Sequence, residues 1–233
     1  MKNICIIPAR GSSRRIPYKN IKDFHGKPII AYTIEAALAS RVFDVVMVST
    51  ESEEVAEVVR SFGALVPWMR PPELAEDATP MYEVIRHTLA EYGKREQFFE
   101  NACMAYATAP MVTPQDFQES VKLLIGYSAV IAVARDEYHH QRAMVIENGR
   151  LRRIYPVDHD RDSSTMYDTY HHAEMLWWVN CNQLMVTGTL HPANTAAYVV
   201  PAWRACNIDT PEDWGSAEKK YMVLDITEGF DKR

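Results

Sequence analysis

No GxGxxG and no complete Walker A loop occurs in this chain. Gly26-Lys27-Pro28 lacks both the preceding glycine at the required spacing and the Ser or Thr that should follow the lysine. Neither a dinucleotide-dependent dehydrogenase nor a P-loop ATPase therefore fits. Cysteine is scarce: Cys5, Cys103, Cys181 and Cys206 are scattered singly, without a CxxC pair. Zinc thiolate and dithiol chemistry are not indicated, and reduced thiols are expected. No GxSxG marks a nucleophilic serine, and no run is long and apolar enough for a bilayer, so no membrane partner is expected. Met1-Lys2-Asn3 passes directly into Ile4-Cys5-Ile6-Ile7, which has no cleavable small-residue site behind it. A cytoplasmic protein is the expectation. Net basicity is missing too, since the formal charge of −6 argues against a nucleic acid as a general partner.

What is present reads as one α/β domain over residues 1–233, a length that can bury a complete core. Ile4–Ile7 and Val45–Val48 are short apolar runs separated by Ile30, Ile34, Ala37 and Leu38 at helical spacing, which makes a βαβ unit. The alternation continues with a helix through Val55, Val58, Val59 and Phe62, a short strand at Ala64–Val66, and a helix through Val84, Ile85, Thr88 and Leu89. Ala102–Tyr106 and Ala129–Val133 read as strands. Between them Thr113-Pro114 and Asp116 supply an N-cap, a preorganised first residue and a first-turn acid. Such alternation predicts a mostly parallel sheet flanked by helices, with ligands beyond the carboxyl ends of the strands.

The rhythm changes at about 136–178, where Asn148-Gly149 separates Arg142–Glu147 from Arg150–Tyr155 and predicts an antiparallel hairpin insertion. Its Tyr138, Tyr155, Tyr167, Tyr170, Trp177 and Trp178 are read as a small core or a dimer contact in preference to a pocket lining. Alternation resumes at Ala197–Val200, and Thr210-Pro211-Glu212-Asp213 starts the last helix, with Glu228–Arg233 expected to fray.

Positive charge is concentrated near the start. Arg10, Arg14, Arg15, Lys19, Lys22 and Lys27 face the single acid Asp23 within Arg10–Lys27. The first βα connection holds Gly11, Ser12, Ser13 and four of these cations, and a polyphosphate is the anion that such a loop suits: glycine admits close backbone approach and the cations neutralise. Asp209 ends an apolar stretch just before the cap Thr210, where a strand end would aim its carboxylate at a site; the alternative is a carboxylate that only helps to cap the helix. Asp77, in Asp-Ala-Thr-Pro, reads as a turn or helix-approach carboxylate. His139, His140, His159, His171 and His172 show no HExxH spacing and are read as surface or hydrogen-bonded groups instead of a zinc site.

Pro8-Ala9-Arg10-Gly11 through Arg15-Ile16-Pro17 to Lys19-Asn20-Ile21-Lys22 resembles the nucleotide loop of the acylneuraminate cytidylyltransferases. Three further segments follow in that family's order, so the resemblance spans nearly the whole chain: Arg70-Pro71-Pro72-Glu73-Leu74 with Asp77, Ala107-Thr108-Ala109-Pro110, and Ile208-Asp209-Thr210-Pro211-Glu212-Asp213-Trp214. Arg15-Ile16-Pro17, Thr108-Ala109-Pro110 and Gln141-Arg142-Ala143 are most similar to the pseudaminic acid branch. The resemblance implies a Rossmann-like nucleotidyltransferase fold and transfer of CMP from CTP to an acidic nine-carbon sugar, with pseudaminic acid first. Sialic acid, legionaminic acid or KDO is the alternative acceptor, and a catalytically silent nucleotide-binding paralogue is the alternative of another class. It also implies a homodimer joined through the insertion.

By the same resemblance Arg10, Arg14 and Lys19 hold the triphosphate, with Gly11, Ser12, Ser13 and Thr108 at the nucleotide, while Asn20 and Arg70 help to define the nucleoside. Gln141, Arg142, Tyr170 and His171 are implied at the sugar, and Asp209 with Asn207 at Mg2+; Arg10, Lys19 and Asp209 are the catalytic set. Two departures stand out. Many relatives carry aspartate where this chain has Asn207, and Tyr170-His171-His172-Ala173-Glu174-Met175-Leu176-Trp177-Trp178 stands where the pseudaminic acid branch typically reads Tyr-His-Asp-Ala-Gly-Gln-Phe-Tyr-Trp. Changed polar positions of this kind are expected to alter sugar selectivity.

Overall fold

The computed structural model describes residues 2–156 and 162–231; His159 lies outside them, as do Lys232 and Arg233. In chain order the elements are β1 (Asn3–Pro8), the two-residue strands β2 (Asp23–Phe24) and β3 (Lys27–Pro28), α1 (Ile29–Ser40), β4 (Val45–Ser49), α2 (Glu53–Ser61), α3 (Met81–Gly93), β5 (Asn101–Ala105), α4 (Pro114–Lys122) and β6 (Ala129–Arg135). There follow β7 (Met144–Glu147), β8 (Arg150–Arg153), β9 (Tyr170–Asn180), α5 (Cys181–Thr187), β10 (Thr195–Val200) and α6 (Pro211–Asp231). Six strands form one sheet in the order β10-β6-β9-β5-β1-β4. Neighbours run parallel except at β9, which is antiparallel to both β5 and β6.

Strand β1 is apolar without alternation because both sides of the sheet are covered. Cys5 and Ile7 enter one core cluster, while Ile4 and Ile6 enter a second. Helix α4 starts as its sequence requires: the Thr113 hydroxyl and the Asp116 carboxylate exchange hydrogen bonds with each other's backbone N–H in a capping box, with Pro114 as the first helical residue. Asp116 is buried, and it also takes a Tyr198 hydroxyl hydrogen bond at 3.0 Å and an Arg204 ion pair, with Arg204 Nη1 at 3.1 Å. One carboxylate thus fixes α4 against β10 and the turn beyond it.

The hairpin β7–β8 forms at the expected place. Asn148 (φ 52°) and Gly149 (φ 76°) are both left-handed, as a tight primed turn demands. The end of the stretch read as insertion is different: Tyr170–Trp178 belongs to β9, in the middle of the main sheet. Trp178 is fully buried, stacks on Phe43 at 5.1 Å and donates its indole N–H to Ser120 Oγ at 2.9 Å. Trp177 is buried too, donating to the Leu190 carbonyl at 2.9 Å. Ala64–Val66 does not form a strand. It makes one bridge, Leu65 to Met47, because the left-handed Gly63 (φ 89°) turns the chain just before it. The last helix continues to Asp231, beyond the start of the fraying expected at Glu228.

Candidate active site

A cavity of about 570 Å³ opens beyond the carboxyl end of β1, within the size range of small-molecule sites. The loop after β1 contributes Arg10, Ser12, Ser13, Arg14, Arg15, Lys19 and Asn20. Arg70 and the segment to Thr79 form a second wall, Tyr106, Ala107 and Thr108 after β5 a third, and Asp209 closes the ring. Five cations and three carboxylates line it, an excess of positive charge in an acidic chain.

Each part of the ring has a local cause. The Asn20 amide donates to the Arg10 carbonyl at 2.9 Å and folds the loop back on itself. Gly11 lies so close to the β4–α2 turn that a Cβ on it would come within 2.5 Å of Ser52 Cβ, and its N–H donates to Glu51 Oε1 at 2.7 Å. Arg70 is buried at 5% exposure, with Nη2 2.7 Å from Glu51 Oε2; it is an interior ion pair and not a surface one. Lys19 Nζ donates to the Ile208 carbonyl at 2.6 Å and lies 3.3 Å from Asp209 Oδ1, which Arg15 also meets at 2.9 Å.

Asp209 is free of capping duty. Asp213 Oδ2 accepts the N–H groups of Asp209 and Thr210 and the Thr210 hydroxyl, at 2.8 to 3.0 Å. These bonds hold the Asp213 carboxyl below its usual range, the Thr210 hydroxyl first. Asp77 does sit in the turn that leads through Pro80 into α3 at Met81, as read, but that placement is not its only role. Its carboxylate also pairs with Arg10 and, at 3.2 Å, with Arg14. The Arg10 hydrogen bond is the main reason that its pKa is lowered. Sequence reasoning set Asp77 aside because Thr-Pro carries its own turn chemistry; it missed Glu51 and Tyr106 because neither stands in a motif.

Arg10, Ser12, Ser13, Arg14, Lys19, Asn20, Arg70, Thr108 and Asp209 are brought together here, with Gly11 directly behind them. Asn207 is exposed and is not a lining residue. A single lining carboxylate of the Asp209 type fits Mg2+, which commonly takes one or two carboxylates and completes its shell from phosphates and water. Gln141, Arg142, Tyr170 and His171 do not reach this cavity. Arg142 lines a second one, of about 560 Å³, formed by Asp136–His140, Arg142 and Ala143. His171 Nδ1 lies 2.6 Å from Asp136 Oδ1, and the Gln141 amide donates to the Tyr167 carbonyl at 3.3 Å. Tyr170 is half exposed at the start of β9.

Tyr106 joins the first cavity to β9. Its N–H donates to the Met175 carbonyl at 3.0 Å, and its hydroxyl is 3.5 Å from His172 Nδ1, which also lies 3.4 Å from Glu174 Oε1. Burial, followed by the Glu174 charge, raises the Tyr106 pKa. Glu174 is left-handed at φ 53°, in the stretch where the β6–β9 register shifts.

Residues 4–148 match the Cytidylyltransferase family. Pseudaminic acid cytidylyltransferase of Campylobacter jejuni serotype O:2 is 33% identical over 96% of this chain and 97% of its own. N-acylneuraminate cytidylyltransferase of Escherichia coli O18:K1:H7 is 30% identical over the whole of this chain, which spans 56% of that longer protein. Among solved structures, CMP:2-keto-3-deoxy-manno-octonic acid synthetase complexed with CTP superposes with a TM-score of 0.69 at 19% identity, covering 97% of this chain and all of its own, a likeness of fold. From the matched family and these relatives, this chain belongs to the cytidylyltransferase family, in the group that includes the pseudaminic acid and N-acylneuraminate enzymes.

Proposed function

We propose that this chain transfers CMP from CTP to a nonulosonic acid with release of pyrophosphate, and that the acceptor is pseudaminic acid. The observation that carries the reading is the ring of Arg10, Arg14, Arg15, Lys19 and Arg70 around one cavity at the end of β1. The anomeric hydroxyl oxygen attacks the α-phosphorus. The bond from that phosphorus to the bridging oxygen breaks, pyrophosphate leaves with the electron pair, and the hydroxyl proton passes to water.

Little covalent chemistry falls to the protein, so its contribution is alignment and charge neutralisation. Arg10 and Arg14 exchange Asp77 for triphosphate oxygens, Ser12 and Ser13 donate to them, and Asn20 with Arg70 frames the nucleoside beside Thr108. Lys19, braced on the Ile208 carbonyl, faces the reacting phosphate. Asp209 is the residue that would hold Mg2+, which supplies Lewis-acid neutralisation of the phosphate oxygens when bound.

The sugar residues Gln141, Arg142, Tyr170 and His171 stand apart from the nucleotide cavity of their own chain. On β7–β8, Met144, Ile146 and Leu151 share one exposed apolar face, and a lone two-stranded ribbon is marginal in water. A homodimer built through this hairpin accounts for both features, in a cytoplasmic enzyme. Among the described residues no helix is long and apolar enough to cross a membrane.

The test is pyrophosphate release from CTP and Mg2+ with pseudaminic acid, sialic acid, legionaminic acid and KDO supplied separately. Turnover with pseudaminic acid supports the reading, and turnover with another sugar reassigns the acceptor. Silence with all four, with CTP binding retained, would make the chain a nucleotide-binding paralogue. Sedimentation that shows a concentration-independent monomer would remove the dimer.

A further inference from the structure

We propose that Glu51, just beyond the end of β4, is a positioning residue that sets both halves of the nucleotide site through one carboxylate. Its two oxygens are divided between segments far apart in sequence. Oε1 accepts the Gly11 N–H of the phosphate loop and Oε2 accepts Arg70 Nη2, each at 2.7 Å. Both are charge-assisted hydrogen bonds, the shorter and stronger kind.

Their partners do not need Glu51 for their backbone placement. The loop is already tied to β4 by the Ala9 N–H on the Ser49 carbonyl at 3.0 Å, and the Arg70 N–H reaches the Thr50 carbonyl at 2.7 Å. What Glu51 adds is direction: it fixes the Gly11 peptide and turns the Arg70 guanidinium along one axis. The location gives a reason for retaining such a pair. The Arg70 side chain is only 4% exposed and that of Glu51 19%, and desolvating an ion pair is weak grounds for stability by itself. Arg70 Nε, moreover, is buried without a hydrogen-bond partner among the described residues, a donor that a bound ligand would satisfy. Arg70 also lines the cavity. Glu51 is absent from that lining, so it acts through Arg70 and Gly11 and does not touch substrate.

This inference rests on the nucleotide reading of the cavity, and the experiment separates the two. CTP binding and turnover of the wild-type chain are measured first; failure to bind CTP removes the nucleotide reading itself. With wild-type activity in hand, Glu51→Gln keeps an acceptor for Gly11 but loses the charge that orients Arg70. The expected result is a KM for CTP raised roughly tenfold or more, a smaller change in kcat, and reduced preference for CTP over UTP. Glu51→Asp, which restores the charge on a shorter stem, should recover part of the loss, and it serves as the second variant if Glu51→Gln folds poorly. In an Arg70→Ala background Glu51→Gln should add less than about threefold, because contacting residues are non-additive. A KM within about twofold of wild type for both Glu51 variants overturns the proposal, as does the full Glu51→Gln effect persisting without Arg70.

Discussion

Gly11→Ala isolates the close approach on which the phosphate loop is built. Gly11 is not among the left-handed glycines, so the obstacle to alanine there is steric. The added Cβ would come within 2.5 Å of Ser52 Cβ and 2.9 Å of Ser52 Oγ. Ser52 is itself fixed as the N-cap of α2, its hydroxyl accepting the Val55 N–H at 3.3 Å, so the loop is what gives way. Overpacking of this kind costs about 1 to 3 kcal/mol, or a melting temperature lower by roughly 2 to 4 °C per kcal/mol at this chain length. The displaced loop also carries Ser12 and Ser13 away from the triphosphate, and misplaced oxyanion donors cost about 10²- to 10³-fold in kcat. Pyrophosphate release and thermal denaturation together read both effects. The control is Gly11→Ala with Ser52→Gly, which removes both clashing atoms for a few tenths of a kcal/mol of cap stability and should restore most of the turnover. Wild-type activity in Gly11→Ala, or an equal loss in the double variant, would refute the reasoning.

Four shorter predictions test the remaining parts. Lys19→Ala should lose roughly 2 to 4 kcal/mol of transition-state stabilisation, read as kcat/KM, and wild-type turnover would remove the lysine from the reaction. Asn207→Asp should leave activity and its Mg2+ dependence unchanged, because residue 207 is exposed and off the cavity lining; a large change in either would return that residue to the site. Glu174→Gly relieves a left-handed backbone that costs a non-glycine residue about 1 to 2 kcal/mol. The melting temperature should rise by a few degrees, and a fall would mean that the His172 contact outweighs the strain. Asp213 is more acidic folded than its ordinary value of 3.8, so its contribution is present above pH 3.8 and is lost as the pH falls below it. Asp213→Ala should therefore lower the melting temperature at pH 6, with the gap to wild type closing on acidification; a pH-independent gap would contradict the assignment.

The features legible in the sequence were those whose cause is local. Thr113-Pro114 with Asp116, Asn148-Gly149 and Thr210 with Asp213 each carry their own turn or cap chemistry, and each forms where it was read. The cation-rich loop was legible because like charges concentrate there against the acidic balance of the chain. Strand β9 was not: Met175–Val179 is a continuous buried run, and such a run says nothing of direction or of which neighbours it will take. Glu51, Asp77 and Tyr106 escaped for a related reason. Their partners lie 40, 67 and 66 residues away, so only chain closure reveals them, and for Asp77 a plausible local role masked the distant one.

Strand β9 runs against its neighbours, and this settles where variation can be accommodated. The chain leaves the sheet at Arg135 and re-enters it opposite the same residue, at Tyr170. Everything between is a detour that starts and finishes at one point on the rim, so it can lengthen, shorten or change composition without shifting the register of a single strand in the main sheet. If the proposed acceptor residues of the detour do hold the sugar, acceptor preference would be free to diversify there while the nucleotide half, built from the loops after β1, β4 and β5, stays fixed. That single reversed strand leaves the two halves of the chain open to change independently.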